Sequence, residues 1–323
     1  MIAANESHEL KPSRPCLVLL LAALSCCASL ASGAADRPEW AYPQSSAVQP
    51  PASDDGRTHS VPGSTLHFTA AQINDLSNTV DWFPHRHAPP PTAVVHGSGA
   101  ALACAACHLT SGMGHPESSH LAGLPAAYLE RQLADFRSGA RQDPVRMSAI
   151  ARALSVEDAL AASQWFAALT PRRWIKVIET TSVSVSYGNP GRMRLPLPGG
   201  GREALGQRIV ELPQNPQRAL RRDPNSGFIA YVPVGSVAKG RALASTGGGK
   251  TAACTSCHGA RLTGMNAVPG IAGASALYIA RQLFAFQTGT RDGASAALMK
   301  PIAATLSDED FIDLSAYLAS LPP

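Results

Sequence analysis

Two short segments carry residue types at spacings that can do chemistry together. Cys104-Ala105-Ala106-Cys107-His108 and Cys254-Thr255-Ser256-Cys257-His258 share the pattern Cys-x-x-Cys-His and lie 150 residues apart. Thiols three residues apart can add to the two vinyl groups of one porphyrin edge as thioethers. The next imidazole then falls beneath the ring, where it can ligate iron. A zinc site or a redox-active dithiol would need the cysteine pairs alone. A histidine directly after both pairs selects covalent haem attachment, through Cys104 and Cys107 and through Cys254 and Cys257. His108 and His258 are then the proximal iron ligands, and the expected cofactors are two covalently bound haem c groups.

Cysteine usage agrees with that chemistry. Of seven cysteines, Cys16, Cys26 and Cys27 lie in the first 35 residues, and the other four are those of the two motifs. Lys11 and Arg14 precede an apolar stretch, Cys16 to Leu30, which is too short to span a bilayer comfortably. Ala31-Ser32-Gly33-Ala34-Ala35 then offers small residues for cleavage. We read residues 1–35 as a cleaved signal peptide and the mature protein as periplasmic, ahead of an uncleaved anchor or lipidation at Cys26 or Cys27. Thiols consumed as thioethers suit an exported protein without disulfides. The formal charge of +4 gives no reason to expect nucleic acid as a partner, and haem propionates would bring it near neutrality. Gly247-Gly248-Gly249-Lys250 lacks phosphate-loop spacing and reads as a turn, and no nucleophile–base set stands out. An electron-transfer protein is expected, not an enzyme.

The elements that must hold the motifs repeat with them. Tyr128, Arg131-Gln132-Leu133, Phe136 and Gly139-Ala140-Arg141 recur as Tyr278, Arg281-Gln282-Leu283, Phe286 and Gly289-Thr290-Arg291. Tyr128, Leu129, Leu133 and Phe136 form one face of a helix. Met147 and Leu154-Ser155 recur as Met299 and Leu306-Ser307, and each module closes with a helix whose Ser-x-x-Asp start is a capping signal. Gly97 and Gly240, in the short helices before the motifs, are expected to let first and last helices cross closely.

Upstream, residues 36–92 form a Pro-rich extension. Within it Thr69 and Gln72 have capping-box spacing for a short helix from Ala70 to Ser77, stapled by Phe68 against Ile73. Trp82-Phe83 is expected to pack on a domain, and His85 and His87 to lie in a solvated turn. The modules occupy residues 93–171 and 234–323. Between them, residues 172–233 are expected to form a small antiparallel brace, with strands near 183–187, 208–212 and 228–232. This insert holds Arg192, Arg194, Arg202, Arg208, Arg218, Arg221 and Arg222 against Glu203, Glu211 and Asp223. These arginines are read as solvated or paired with propionates, with a docking surface for an acidic partner as the other reading.

The two modules resemble class I cytochrome c domains, and their tandem order is similar to the dihaem cytochrome c4 family. The likeness rests on the Cys-x-x-Cys-His pair, the Tyr-x-x-x-Gln-Leu-x-x-Phe-x-x-Gly-x-Arg run and the late methionine. It covers roughly 93–170 and 235–323. The resemblance implies a mostly α fold of two tandem helical domains, covalent haem and single-electron transfer, with Met147 and Met299 as distal ligands. Met113 and Met265 follow the histidines too closely to cross the ring. His115 and His120 compete in the first module, but surface roles are expected for them. Where such domains hydrogen-bond the haem histidine through a carbonyl, the second module has Pro269 and the first has Ser119. The expected partners are redox proteins, with a membrane-associated oxidase or dehydrogenase as a candidate docking partner. A dehydrogenase's electron-accepting subunit and a dihaem peroxidase are the alternative functions.

Overall fold

The repeated pattern folds as repeated structure. In a computed structural model describing residues 38–42, 44–46, 56–143 and 145–323, each haem-attachment segment is one turn of helix, Ala105–His108 and Thr255–His258. The segment read as a signal peptide lies outside the described residues. In the first module α1 (Ala126–Ser138), α2 (Met147–Ala153) and α3 (Val156–Ala168) follow. Tyr128, Leu129 and Phe136 of α1 are buried, and the first two pack with Trp165 and Phe166 of α3. The Ser155 hydroxyl accepts from the Asp158 amide, as its spacing predicts.

The insert is a mixed sheet, not the purely antiparallel brace expected from its sequence. β1 (Ile175–Glu179) runs parallel to β3 (Phe228–Val232), and β2 (Val210–Pro213) pairs with β3 antiparallel. A parallel pair needs a long crossover, and the chain between β1 and β3 supplies one. It folds there into two small antiparallel ribbons, Ser182–Ser184 with Arg202–Ala204 and Ser186–Gly188 with Arg194–Pro196. The alternating run at 183–187 is thus split at Val185, because its two halves take different partners. Phe228, Ala230 and Val232 all turn inward. They join a buried cluster that also includes Leu109 and Met113 of the first module and Leu277, Phe284 and Phe311 of the second.

The second module contains α4 (Ser236–Thr246), α5 (Ala276–Gln287), α6 (Lys300–Ala304) and α7 (Asp308–Ser320). Ser307 and Asp310 form a reciprocal capping box at the start of α7. Gly240 is where α4 crosses α7. A Cβ there would lie 1.9 Å from the Asp313 carbonyl oxygen, so neither backbone can yield cheaply. Gly240→Ala is therefore expected to destabilise the protein by about 3 kcal/mol, the upper end of ordinary overpacking costs, as measured by urea unfolding. Gly97 does otherwise. It follows a single helical turn, Thr92–Val95, and its positive φ of 70° serves the tight turn closed between Ser98 and Ala101.

The extension is ordered where its signals predicted. Thr69 and Gln72 form the capping box, and the helix runs from Ala70 to Asn74, shorter than expected. Ile73, Trp82 and Phe83 are buried together with Phe68 against them. His85 is exposed. His87 is held instead, with Nε2 3.0 Å from the Asp81 carboxylate.

Candidate haem sites

Both attachment histidines are buried, and each donates from Nδ1 to a backbone carbonyl at 2.8 Å: His108 to Ser119 and His258 to Pro269. That bond fixes the tautomer and leaves Nε2 unprotonated for a metal. The contrast between Ser119 and Pro269 in the sequence therefore disappears in the geometry, because the acceptor is main chain. Burial lowers the pKa of both imidazoles, which keeps them neutral, the form that ligates. Cys104 is enclosed, and burial pushes its thiol up to about 12.

In the first module the expected residues meet around one cavity of about 610 Å³, lined by Cys104, Cys107, His108 and Met147 and walled by Leu124, Phe136 and Phe166. A histidine, two thiols and a thioether around an apolar chamber are the donor set that haem c requires. The cavity is also lined by Tyr278, Arg281 and Gln282 of the second module. His115 and His120 do not line it. They are also not surface residues: both rings are enclosed, and burial lowers His115 to about 3 and His120 to about 4. His115 packs edge-on against Phe228. Phe228 belongs to the insert, and nothing local to His115 announced that contact. In the second module Cys254 and Met299 are half-buried against the same hydrophobic cluster, while Cys257 is exposed. Met113 is buried and Met265 is half exposed. Met193, in the insert, is buried in that cluster.

Met147 is presented by a turn that the sequence reading missed. The Asp143 carboxylate accepts from the amides of Val145, Arg146 and Met147 at 3.1–3.3 Å. Asp143 lies four residues before the methionine, and that spacing was the available signal. Met299 is presented differently, between a 3₁₀ turn (Ala294–Leu298) and α6.

The modules meet through a near-symmetric polar centre. The Arg141 guanidinium donates to Gln132, Tyr278 and Gln282 at 2.7–3.1 Å. Arg291 donates to Gln282, Tyr128 and Gln132 at 2.7–3.0 Å. Each arginine thus serves its own module and the other. Both are buried, and every acceptor is neutral. Two buried cations with no bonded carboxylate form a site that anionic propionates would complement.

The insert arginines are mostly engaged in holding the chain together. Arg208 pairs with Glu203 at 2.8 Å and Arg218 with Asp223 at 2.6 Å. Arg221 donates to the Ser60 carbonyl, and its own carbonyl accepts from the Trp82 indole. Arg222 donates to the carbonyls of Ile73 and Ala106. Glu211, counted from sequence as one acid among three, is buried at the N-terminus of α5. There it accepts from the Ser275 hydroxyl and the amides of Ala276 and Leu277, meeting donors the helix leaves free.

Comparison with known proteins places the chain in a family. The Cytochrome c family profile matches residues 237–322. A thiosulfate dehydrogenase electron acceptor from Thiomonas intermedia is 31% identical over 225 residues, 69% of this chain and 80% of the relative. Its counterpart from Stutzerimonas stutzeri is 30% identical over the same shares. Cytochrome c4 from Pseudomonas aeruginosa is 28% identical over 246 residues, 71% of this chain and 92% of the relative. The chain belongs to the cytochrome c4-like family of class I c-type cytochromes, electron-transfer proteins with covalently bound haem c.

Proposed function

We propose that the protein carries two haems, one per module, and passes single electrons between redox partners in the periplasm. Cys104 and Cys107 hold the first haem and Cys254 and Cys257 the second, with His108 and Met147, and His258 and Met299, as the axial pairs. The modules are residues 93–171 and 234–323, braced by the insert at 172–233. Haem supplies a one-electron iron couple, and thioether ligation favours its ferrous state. The chain's own residues do the rest. The Ser119 and Pro269 carbonyls orient the histidines, the apolar walls exclude water, and Asp143 steadies the loop bearing Met147. The observation that carries the reading is the cavity that gathers Cys104, Cys107, His108 and Met147.

The partner class is a dehydrogenase that this protein relieves of electrons. Two relatives named as electron acceptors of such an enzyme support that assignment. A free carrier and a docked subunit share the same chemistry, and copurification of a large partner distinguishes them.

Two haems per chain are expected by pyridine haemochrome assay, resistant to acidic acetone. Cys257→Ala should impair attachment of the second haem while leaving the first. A wild-type chain holding one haem, or none, would overturn the proposal.

A further inference from the structure

We infer that Arg222, delivered by the insert, makes the first haem the higher-potential of the two, so that electrons pass within the chain from the second module to the first. This rests on the two-haem reading above. The insert has one direct hold on a haem-attachment turn, and it is cationic. Arg222 Nε donates to the Ile73 carbonyl at 2.7 Å, and Nη1 donates to the carbonyl of Ala106, between the two cysteines of the first motif. Its backbone has a φ of 55°, in the left-handed region that a bulky residue seldom adopts. The surrounding structure sustains that conformation and so aims the side chain inward. A second guanidinium, that of Arg146, lies 3.5 Å from Cys107 Sγ. The Cys107 thiol stands in for the thioether sulfur, so two cations flank one attachment point.

The second module lacks both. Leu298 stands immediately before Met299, as Arg146 does before Met147, and it is 76% exposed. Among the described residues no arginine or lysine side chain bonds to the turn Thr255–His258 or to Cys254. Lys300, beside Met299, is paired with Asp292 at 2.7 Å in solvent, and Arg261 is exposed. Surface charges of that kind are screened, whereas Arg222 is largely enclosed.

Acids near the first site offset the cations only in part. The Asp158 carboxylate is solvent-exposed and held by the hydroxyls of Ser98 and Ser155. Asp143 is occupied by three amides. Burial favours the neutral form of Glu117, pushing it up to about 8. Arg141 and Arg291 are shared across the interface, but Arg141 lines the first cavity and acts on His108, with no such cation acting on His258, so it adds to the asymmetry. Haem propionates also leave the asymmetry intact, because they sit on the half of the macrocycle opposite its thioether carbons. Reduction adds negative charge to the iron–porphyrin unit, so a fixed cation on that edge favours the ferrous form.

Spectroelectrochemical titration of the two-haem protein tests this. Arg222→Gln should lower the reduction equilibrium of the upper wave about tenfold, which is 59 mV for one electron, and leave the lower wave in place. Arg222→Lys keeps the charge and should hold the upper wave near its wild-type position. Arg146→Gln, at the half-buried wall of the first cavity, should move the same wave in the same direction, and it decides the matter alone should Arg222→Gln fail to fold. Movement of the lower wave, or of neither, overturns the inference. A haem count below two would instead overturn the two-haem reading, and it is measured on the same samples.

Discussion

Met299→Ala is expected to remove about half of the near-infrared sulfur-to-iron charge-transfer intensity of the oxidised protein. It should also lower the potential of one haem and open one iron to carbon monoxide. Met147→Ala should do the same at the other haem, and the double variant should lose the band altogether. The expectation follows from chemistry and placement together. Met147 lines the same cavity as His108, on a turn whose three amides are pinned by Asp143. Met299 packs against the core beside α6. A thioether is a neutral, polarisable ligand that favours ferrous iron, so its loss lowers the potential. A closed coordination sphere admits no small ligand, which suits electron transfer and opposes substrate chemistry. Rapid carbon monoxide binding by the wild-type ferrous protein at either haem would refute the axial assignment for that site.

What could be read from the sequence, and what could not, divides along physical lines. The haem motifs, the helices after them and their caps are local. Ser155 and Ser307 cap within three residues, and the stripe through Tyr128 and Phe136 needs only helical periodicity. The helices, their caps and that buried stripe match the structure. The parallel partner of β3 was invisible because Ile175–Glu179 pairs with residues more than 50 positions later. Its run of Ile, Val and Ile interrupted by Lys176 was the faint signal. The surface role expected for His115 fails for the same reason, since the ring that packs on it, Phe228, lies in an insert a hundred residues away. The repeat did flag Arg141 and Arg291 as equivalent, yet only the fold shows each reaching into the other module. The insert arginines reveal a different limit. A cluster of like charges suggests a docking face, but Arg218, Arg221 and Arg222 spend their donors on Asp223, Ser60, Ile73 and Ala106.

Glu117→Gln is expected to make the holoprotein more stable in mildly alkaline buffer, by on the order of 3 kcal/mol, and to leave it nearly unchanged near pH 4. Both carboxyl oxygens of Glu117 are buried without a hydrogen-bond partner among the described residues. Burial pushes the group from its ordinary 4.5 up to about 8, against the pull of Arg281 and of its own backbone amide, with a push from Glu211 and a weaker pull from Arg194. The folded protein therefore keeps a proton that the unfolded chain releases near pH 4.5. Stability from this group is fully present below that pH and is lost as pH rises through about 8, because the folded state binds more protons over that interval. Glutamine keeps the shape without the titration, so the slope of unfolding free energy between pH 5 and 8 should flatten in the variant. Urea unfolding across that range measures it. The side chain also lines the first cavity, so its ionisation should lower the reduction potential of one haem above pH 8, and that shift should vanish in Glu117→Gln. Parallel stability–pH curves for the two proteins would mean that the carboxyl is paired or hydrated in solution, contrary to the buried, unpartnered position described above.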